Sequence, residues 1–226
     1  MFIEVINYSK KIGKEFVLKD VSMSLDKGKI YGLKGKNGSG KTMLMRAVCG
    51  LIRPTSGKVV INGEEIGRER SFPESIGALI ENPGFIANYT GLENLKNLAD
   101  IREKIDMDRI RDVMAETGLN PDDKKKYKKY SLGMKQKLGI AAAIMEYPDI
   151  IILDEPTNAL DEASVAGLRK ILQKEKQRGA VIILSSHDSE ELKFLSDEIF
   201  FIESGKIKGH TINAGRNSVD EDEKKI

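Results

Sequence analysis

Short apolar runs alternate along this chain with stretches of helical period. Eight runs read as strands: Phe2–Tyr8, Val21–Leu25, Ile30–Lys34, Lys58–Asn62, Ile76–Ile80, Ile150–Leu153, Val181–Ser185 and Ile199–Ile202. Those at Ile150 and Val181 are apolar without interruption, the pattern of strands covered on both faces. Helices separate them. Leu44, Ala47, Val48 and Leu51 repeat at helical spacing after Gly40. Leu92, Leu95 and Leu98 do so behind Thr90, with Glu93 three residues on, a capping box. Ile110, Val113 and Met114 mark a helix stopping near Gly118. Met134, Leu138, Ala141 and Met145 mark one closed by Pro148, and Val165, Leu168 and Leu172 one closed by Gly179. The first third is rich in strands, whereas about 83–147 is nearly all helix. The pattern predicts a helical subdomain inserted into a single α/β domain spanning 1–212, followed by a polar, mobile tail over 213–226.

Composition narrows the class. Of 226 residues, 40% are hydrophobic, enough for a sizeable core. Lys and Arg number 37 against 35 Asp and Glu, a net charge of +2 that argues against nucleic acid as a partner. The single cysteine, Cys49, excludes an internal disulfide framework and suits a reducing cytosol. No apolar run approaches the ~18 residues needed to cross a bilayer, and the start shows no secretory pattern. The stretch 122–129 holds five lysines around one tyrosine; it reads either as a solvated connector or as a contact for acidic lipid head groups.

Gly35-Lys36-Asn37-Gly38-Ser39-Gly40-Lys41-Thr42 fits G-x-x-x-x-G-K-[ST] between a strand and an amphipathic helix. Glycines let backbone N–H groups turn toward phosphate oxygens, and the helix start adds about half a positive charge. Lys41 is placed for the β- and γ-phosphates and Thr42 for Mg²⁺. The dinucleotide pattern fails, because Met43 stands where its last glycine belongs. Ile150–Leu153 runs into Asp154 and Glu155 at a strand end, where a parallel sheet opens its ligand crevice. Asp154 is suited to Mg²⁺ and Glu155 to accepting a proton from attacking water. His187 ends a second buried strand, within reach of the γ-phosphate and that water. His210 has no assigned role. These residues describe an Mg-nucleotide phosphatase on a P-loop sheet.

The segment Tyr130-Ser-Leu-Gly-Met-Lys-Gln136 resembles the signature loop of ATP-binding cassette (ABC) ATPases, in a Ser-Leu-Gly-Met-Lys-Gln form. Asn158-Ala-Leu-Asp161 resembles the family's D-loop and Ser186-His187 its switch histidine. With the phosphate loop and the acidic pair, five motifs stand in the family's order over nearly the whole chain. The resemblance implies an α/β P-loop NTPase core with an N-terminal antiparallel β-subdomain and an inserted helical subdomain. It implies two chains, or a pseudo-dimer, sandwiching two ATP, with Ser131 and Gly133 touching the partner's nucleotide and Asp161 at the interface. Ser131 as an N-cap builds an anion site suited to that use. It also implies transmembrane permease subunits on separate chains and a place on the cytoplasmic face of the membrane.

Two positions depart from the family pattern. Ile12 stands where an aromatic usually stacks on adenine; Phe16 close by either takes over that stacking or fills the hairpin core. Glu81, in Ile80-Glu-Asn-Pro-Gly-Phe85, replaces the usual glutamine and is placed to approach Mg²⁺. With the signature form, it resembles cassettes of bacitracin- and lantibiotic-type efflux and immunity systems. The implied function is an ATPase driving efflux of a peptide antibiotic or similar drug, with docking to membrane subunits around Glu81–Tyr89. The rival readings are a non-transport ABC ATPase and a nucleotide-gated regulatory module.

Overall fold

The structure, a computed structural model, describes residues 1–81 and 83–213. The tail expected from 213 onward therefore lies, apart from Asn213, outside the described residues.

Two sheets carry the fold. In the first, β1 (Ile3–Ile12) and β2 (Glu15–Leu25) form a hairpin around Gly13, β4 (Ser56–Ile61) pairs with β1, and β5 (Glu64–Glu65) adds a short edge. All pairs are antiparallel, in the order β2-β1-β4-β5. The second sheet has the order β10-β9-β3-β8-β7-β6. Its strands β9 (Glu198–Glu203), β3 (Lys29–Lys34), β8 (Val181–Ser186), β7 (Ile150–Leu153) and β6 (Ile76–Leu79) run parallel, and β10 (Lys206–Ile212) closes the edge antiparallel to β9. This is the α/β P-loop NTPase architecture.

The central strands show why their runs are apolar throughout. Ile150, Ile152, Val181 and Ile183 join a core with Ile3, Val5, Tyr8 and Leu18 of the first sheet and Leu44 and Met45 of α1 (Lys41–Val48). Ile151, Leu153, Ile182 and Leu184 point the other way. They join α4 (Leu132–Ile144), α5 (Glu162–Gln177) and α6 (Ser189–Leu195) in the second core. Alternate residues of one strand thus feed two cores, so Ile150–Leu153 and 181–184 are apolar on both faces.

Between β6 and β7 lie α2 (Gly91–Arg102), α3 (Met107–Glu116) and α4. The Thr90–Glu93 capping box forms at the start of α2, and Asp106 caps α3 through Arg109 N–H. Helix α4 lies close on β6: a Cβ at Gly77 would fall 1.7 Å from the Ala143 carbonyl oxygen.

Several elements differ from the sequence pattern, among them β1, which runs on to Ile12, and the polar β5, which no apolar run marks. Strand β2 starts at Glu15 rather than Val21: Glu15, Phe16 and Leu18 pair with β1 across irregular register, and only Leu18 of this half is buried, so no apolar alternation marks it. Helix α6 is hidden in a short acidic stretch; Asp188 caps it by accepting from Glu190 and Glu191 N–H. Strand β10 is mostly exposed and so lacks an apolar run.

Candidate nucleotide site

Parallel register aligns the site. Lys34 pairs with Ser186 and Leu153 with Leu184, so β3, β8 and β7 end side by side. The phosphate loop, the 185–187 segment and the acidic pair leave those ends together. The loop turns through Gly38 (φ 78°) and Gly40 (φ 110°), conformations that L side chains rarely adopt. A Cβ at Gly35 would lie 2.4 Å from both Ser39 Oγ and the Ile202 carbonyl oxygen.

Lys41 is buried, with Nζ 2.6 Å from the Gly35 carbonyl oxygen and 3.6 Å from Glu155 Oε1. Thr42 Oγ1 donates to Asp154 Oδ2 at 2.7 Å. The other Asp154 oxygen accepts from Ser185 Oγ at 2.5 Å. That same serine oxygen accepts from Glu155 N–H at 2.9 Å. Glu155 sits at φ 48°, in the left-handed region, and its carbonyl accepts from Gln136 Nε2 at 3.1 Å. His187 Nδ1 lies 3.1 Å from Glu155 Oε2, with the ring largely exposed. Lys41, Thr42, Asp154, Glu155 and His187 therefore form one connected cluster.

A cavity of about 550 Å³ opens over this cluster, lined by Phe16, Val17, Lys36 through Met43, Asp154, Glu155 and Gly205. Ser39 Oγ is buried at this lining with no hydrogen-bond partner among the described residues. A buried orphan hydroxyl beside inward-turned glycine backbone fits a phosphate oxygen. The donors at Thr42 and Asp154 are hard oxygens, as Mg²⁺ prefers. No group of three or more His, Cys, Asp or Glu that could hold a metal occurs among the described residues. A cation here would thus be completed by phosphates and water, the usual arrangement for Mg²⁺.

The other sequence candidates are distributed around this centre. Phe16 lines the cavity and is 44% exposed. Ile12 does not line it; half exposed, it pairs with Glu15 across the hairpin. Glu81 is absent from the lining and instead meets Arg46 NH2 at 2.9 Å, the arginine lying one turn beyond Thr42 on α1. Its backbone is left-handed, φ 59°. Ser131 caps α4, its Oγ accepting from Met134 N–H. Gly133 is pressed against the 158–161 loop: a Cβ would stand 2.7 Å from the Ala159 carbonyl oxygen. Asp161 caps α5, and the Ser164 hydroxyl and N–H beside it hold its carboxyl below the usual range. None of these last three lines the cavity over the chain's own phosphate loop.

Two contributors escape sequence reasoning. Ser185 bridges Asp154 to the Glu155 backbone, and Gln136 ties α4 to Glu155. The available signal for Ser185 was a serine closing a wholly apolar strand; Gln136 is visible only as part of the signature segment.

Comparison with known proteins is consistent with this geometry. A family model described as ABC transporter matches residues 18–158. An uncharacterized ABC transporter ATP-binding protein of Bacillus subtilis, YybJ, is 48% identical over 91% of this chain and 94% of its own length. The bacitracin transport ATP-binding protein BcrA of Enterococcus faecalis is 39% identical over 91% of this chain and 67% of its own. The lantibiotic transport ATP-binding protein SrtF of Streptococcus pyogenes is 38% identical over 91% and 88%. A solved ATP-binding subunit of an ABC transporter superposes with a TM-score of 0.85 at 27% identity, covering 94% of this chain and 90% of that one.

Proposed function

Because this chain belongs to the ABC transporter family, as an ATP-binding and ATP-hydrolysing component, we propose that it powers efflux of a peptide antibiotic or similar drug through membrane subunits on separate chains. The observation that carries the catalytic part is the contact of Glu155 with both Lys41 and His187 above the phosphate loop. Entering phosphates take Lys41 away from the Gly35 carbonyl, since a full anion outcompetes a neutral acceptor for an ammonium. Thr42 and Asp154 would hold Mg²⁺, which would supply charge neutralisation to the phosphates. Glu155 accepts the proton of the attacking water, and His187 orients that water against the γ-phosphate. Phe16 offers an aromatic face to the base at the cavity's edge.

Neither Ser131 nor Gly133 lines the chain's own cavity, which supports their use on a partner's nucleotide in a head-to-tail dimer. Among the described residues no helix is long and apolar enough to cross a membrane. The proposed place, peripheral on the cytoplasmic face, follows from membership of the ABC transporter family as an ATP-binding component. The docking segment for membrane subunits is 81–89, where Ile86 and Tyr89 are exposed while Phe85 packs inward against Tyr127 at 5.2 Å. The substrate class follows the bacitracin and lantibiotic transport relatives.

The test is Glu155→Gln. The amide keeps the shape but accepts no proton, so turnover should fall about 10²–10⁴-fold with ATP still bound. Size-exclusion chromatography in Mg-ATP should show the dimer accumulating. Hydrolysis at the parent rate would defeat the role of Glu155. A variant still monomeric at high concentration, with the membrane subunits present, would defeat the sandwich.

A further inference from the structure

The lysine run at 124–129 is not a loose connector. Tyr127 and Tyr130 are both buried: Tyr127 Oη donates to the Pro83 carbonyl at 3.1 Å, and Tyr130 Oη accepts from Gly91 N–H at 3.1 Å. Between these pins a single 3-10 turn, Tyr127–Lys129, is stitched to the neighbouring segment. Tyr127 N–H donates to the Tyr89 carbonyl and Lys128 N–H to that of Ala87. With the rings fixed inside, Lys124, Lys125, Lys128 and Lys129 are turned outward, all four exposed.

None of those four forms an ion pair among the described residues, whereas Lys126 pairs with Glu93 at 3.2 Å. From 120 to 137 the chain carries seven lysines against two aspartates, although its whole charge is only +2. A local cationic surplus thus falls on this segment of the chain. Beside it, on the strip hydrogen-bonded to the lysine turn, stand Ile86 and Tyr89, 48% and 40% exposed.

We propose that this face, carrying Lys124, Lys125, Lys128 and Lys129, rests on the anionic phospholipid surface of the membrane, beside the 81–89 segment that the membrane subunits cover. The inference rests on the reading that membrane subunits dock at 81–89, which turns the same face toward the bilayer. Fixed lysines attract anionic head groups over a Debye length. Because the tyrosine pins hold the turn in place, little ordering is lost on contact. An acidic segment of a membrane subunit is the competing occupant.

Flotation of the purified full chain with vesicles decides between them. The chain should float with vesicles in which a third of the phosphatidylcholine is replaced by phosphatidylglycerol, and not with phosphatidylcholine alone. Binding should vanish at about 0.5 M salt, where screening acts within about 4 Å. The triple variant Lys125→Gln/Lys128→Gln/Lys129→Gln should lower the vesicle partition coefficient on the order of 100-fold while keeping the parent ATPase rate in solution. Lipid binding unchanged in the triple variant, or absent in the parent, overturns the proposal. So does binding that requires membrane subunits in the vesicle and ignores lipid charge. ATPase activity without flotation defeats this inference alone; absence of ATPase activity in the parent defeats the functional reading beneath it.

Discussion

Replacing Ser185 by alanine tests the site at a single oxygen. Ser185 is fully buried, and its hydroxyl serves two partners: it donates to Asp154 Oδ1 at 2.5 Å and accepts from Glu155 N–H at 2.9 Å. Alanine keeps the strand and removes both bonds. A hydrogen bond to a charged group contributes about 1.5–3 kcal/mol, and a stranded buried N–H costs about 1–3 kcal/mol. Asp154 keeps Thr42 on its other oxygen, and Glu155 N–H is only partly buried. The net loss is therefore about 2–4 kcal/mol, or a Tm lowered by roughly 5–12 °C for a chain of this size. The catalytic effect is separable. Glu155 is held at φ 48°, in a region that costs an L residue about 1–2 kcal/mol, by Ser185 on its N–H and Gln136 on its carbonyl. Freed on one side, the peptide relaxes and the carboxylate leaves its place. We expect kcat to fall about 10-fold, short of full base loss, with ATP affinity measured without Mg²⁺ changed less than about 2-fold because the phosphate loop is untouched. Thermal melts, calorimetric titration and phosphate-release kinetics on the same preparation give all three numbers. A Tm within about 1 °C of the parent and a kcat within about 2-fold would refute the bridging role.

Phe16→Ala should weaken ATP binding several-fold without unfolding the chain, since base stacking contributes about 1–3 kcal/mol; unchanged affinity by titration calorimetry would return Phe16 to hairpin packing. Glu81→Gln breaks an exposed pair with Arg46, so melting should shift little, while basal ATPase persists with a flatter Mg²⁺ dependence; superimposable Mg²⁺ titrations, run with the membrane subunits, would remove Glu81 from the mechanism. Burial pushes the Cys49 thiol from 9.0 and the Tyr8 phenol from 10.0 up to about 12. The folded chain keeps both protons longer than the unfolded one, so their stabilising contribution is complete below pH 9 and is lost as pH rises toward about 12. Thermal melts across that range should fall, and Cys49→Ala should flatten the slope between pH 9 and 10; an identical slope would contradict the assignment.

What the sequence made legible follows from where its constraints are local. The phosphate loop is contiguous, so its glycines, Lys41 and Thr42 could be named with their roles. The double-faced strands announced themselves because alternate residues serve two cores. The Thr90–Glu93 box and the Ser131 cap lie within single turns. Ser185, by contrast, reaches Asp154 across 31 positions, and only the register of β7 against β8 brings them together. The Arg46–Glu81 pair likewise needs α1 and the end of β6 to be placed first. Amphipathic period failed for α6 because seven residues and an acidic start leave no stripe to count. The lysine run was ambiguous until the buried tyrosines showed that it is fixed.

Gln136 lies five residues beyond Ser131 on the one rigid rod of α4, and its amide grips the Glu155 carbonyl. In the proposed dimer Ser131 would touch the partner's nucleotide while Glu155 would serve the chain's own. A single side chain then joins a foreign phosphate to a native base. Linkage makes such a tie reciprocal: whatever factor one bound nucleotide imposes on the second, the second imposes on the first. Timing of the power stroke would accordingly belong to neither chain alone, and an empty half would leave its loaded neighbour waiting.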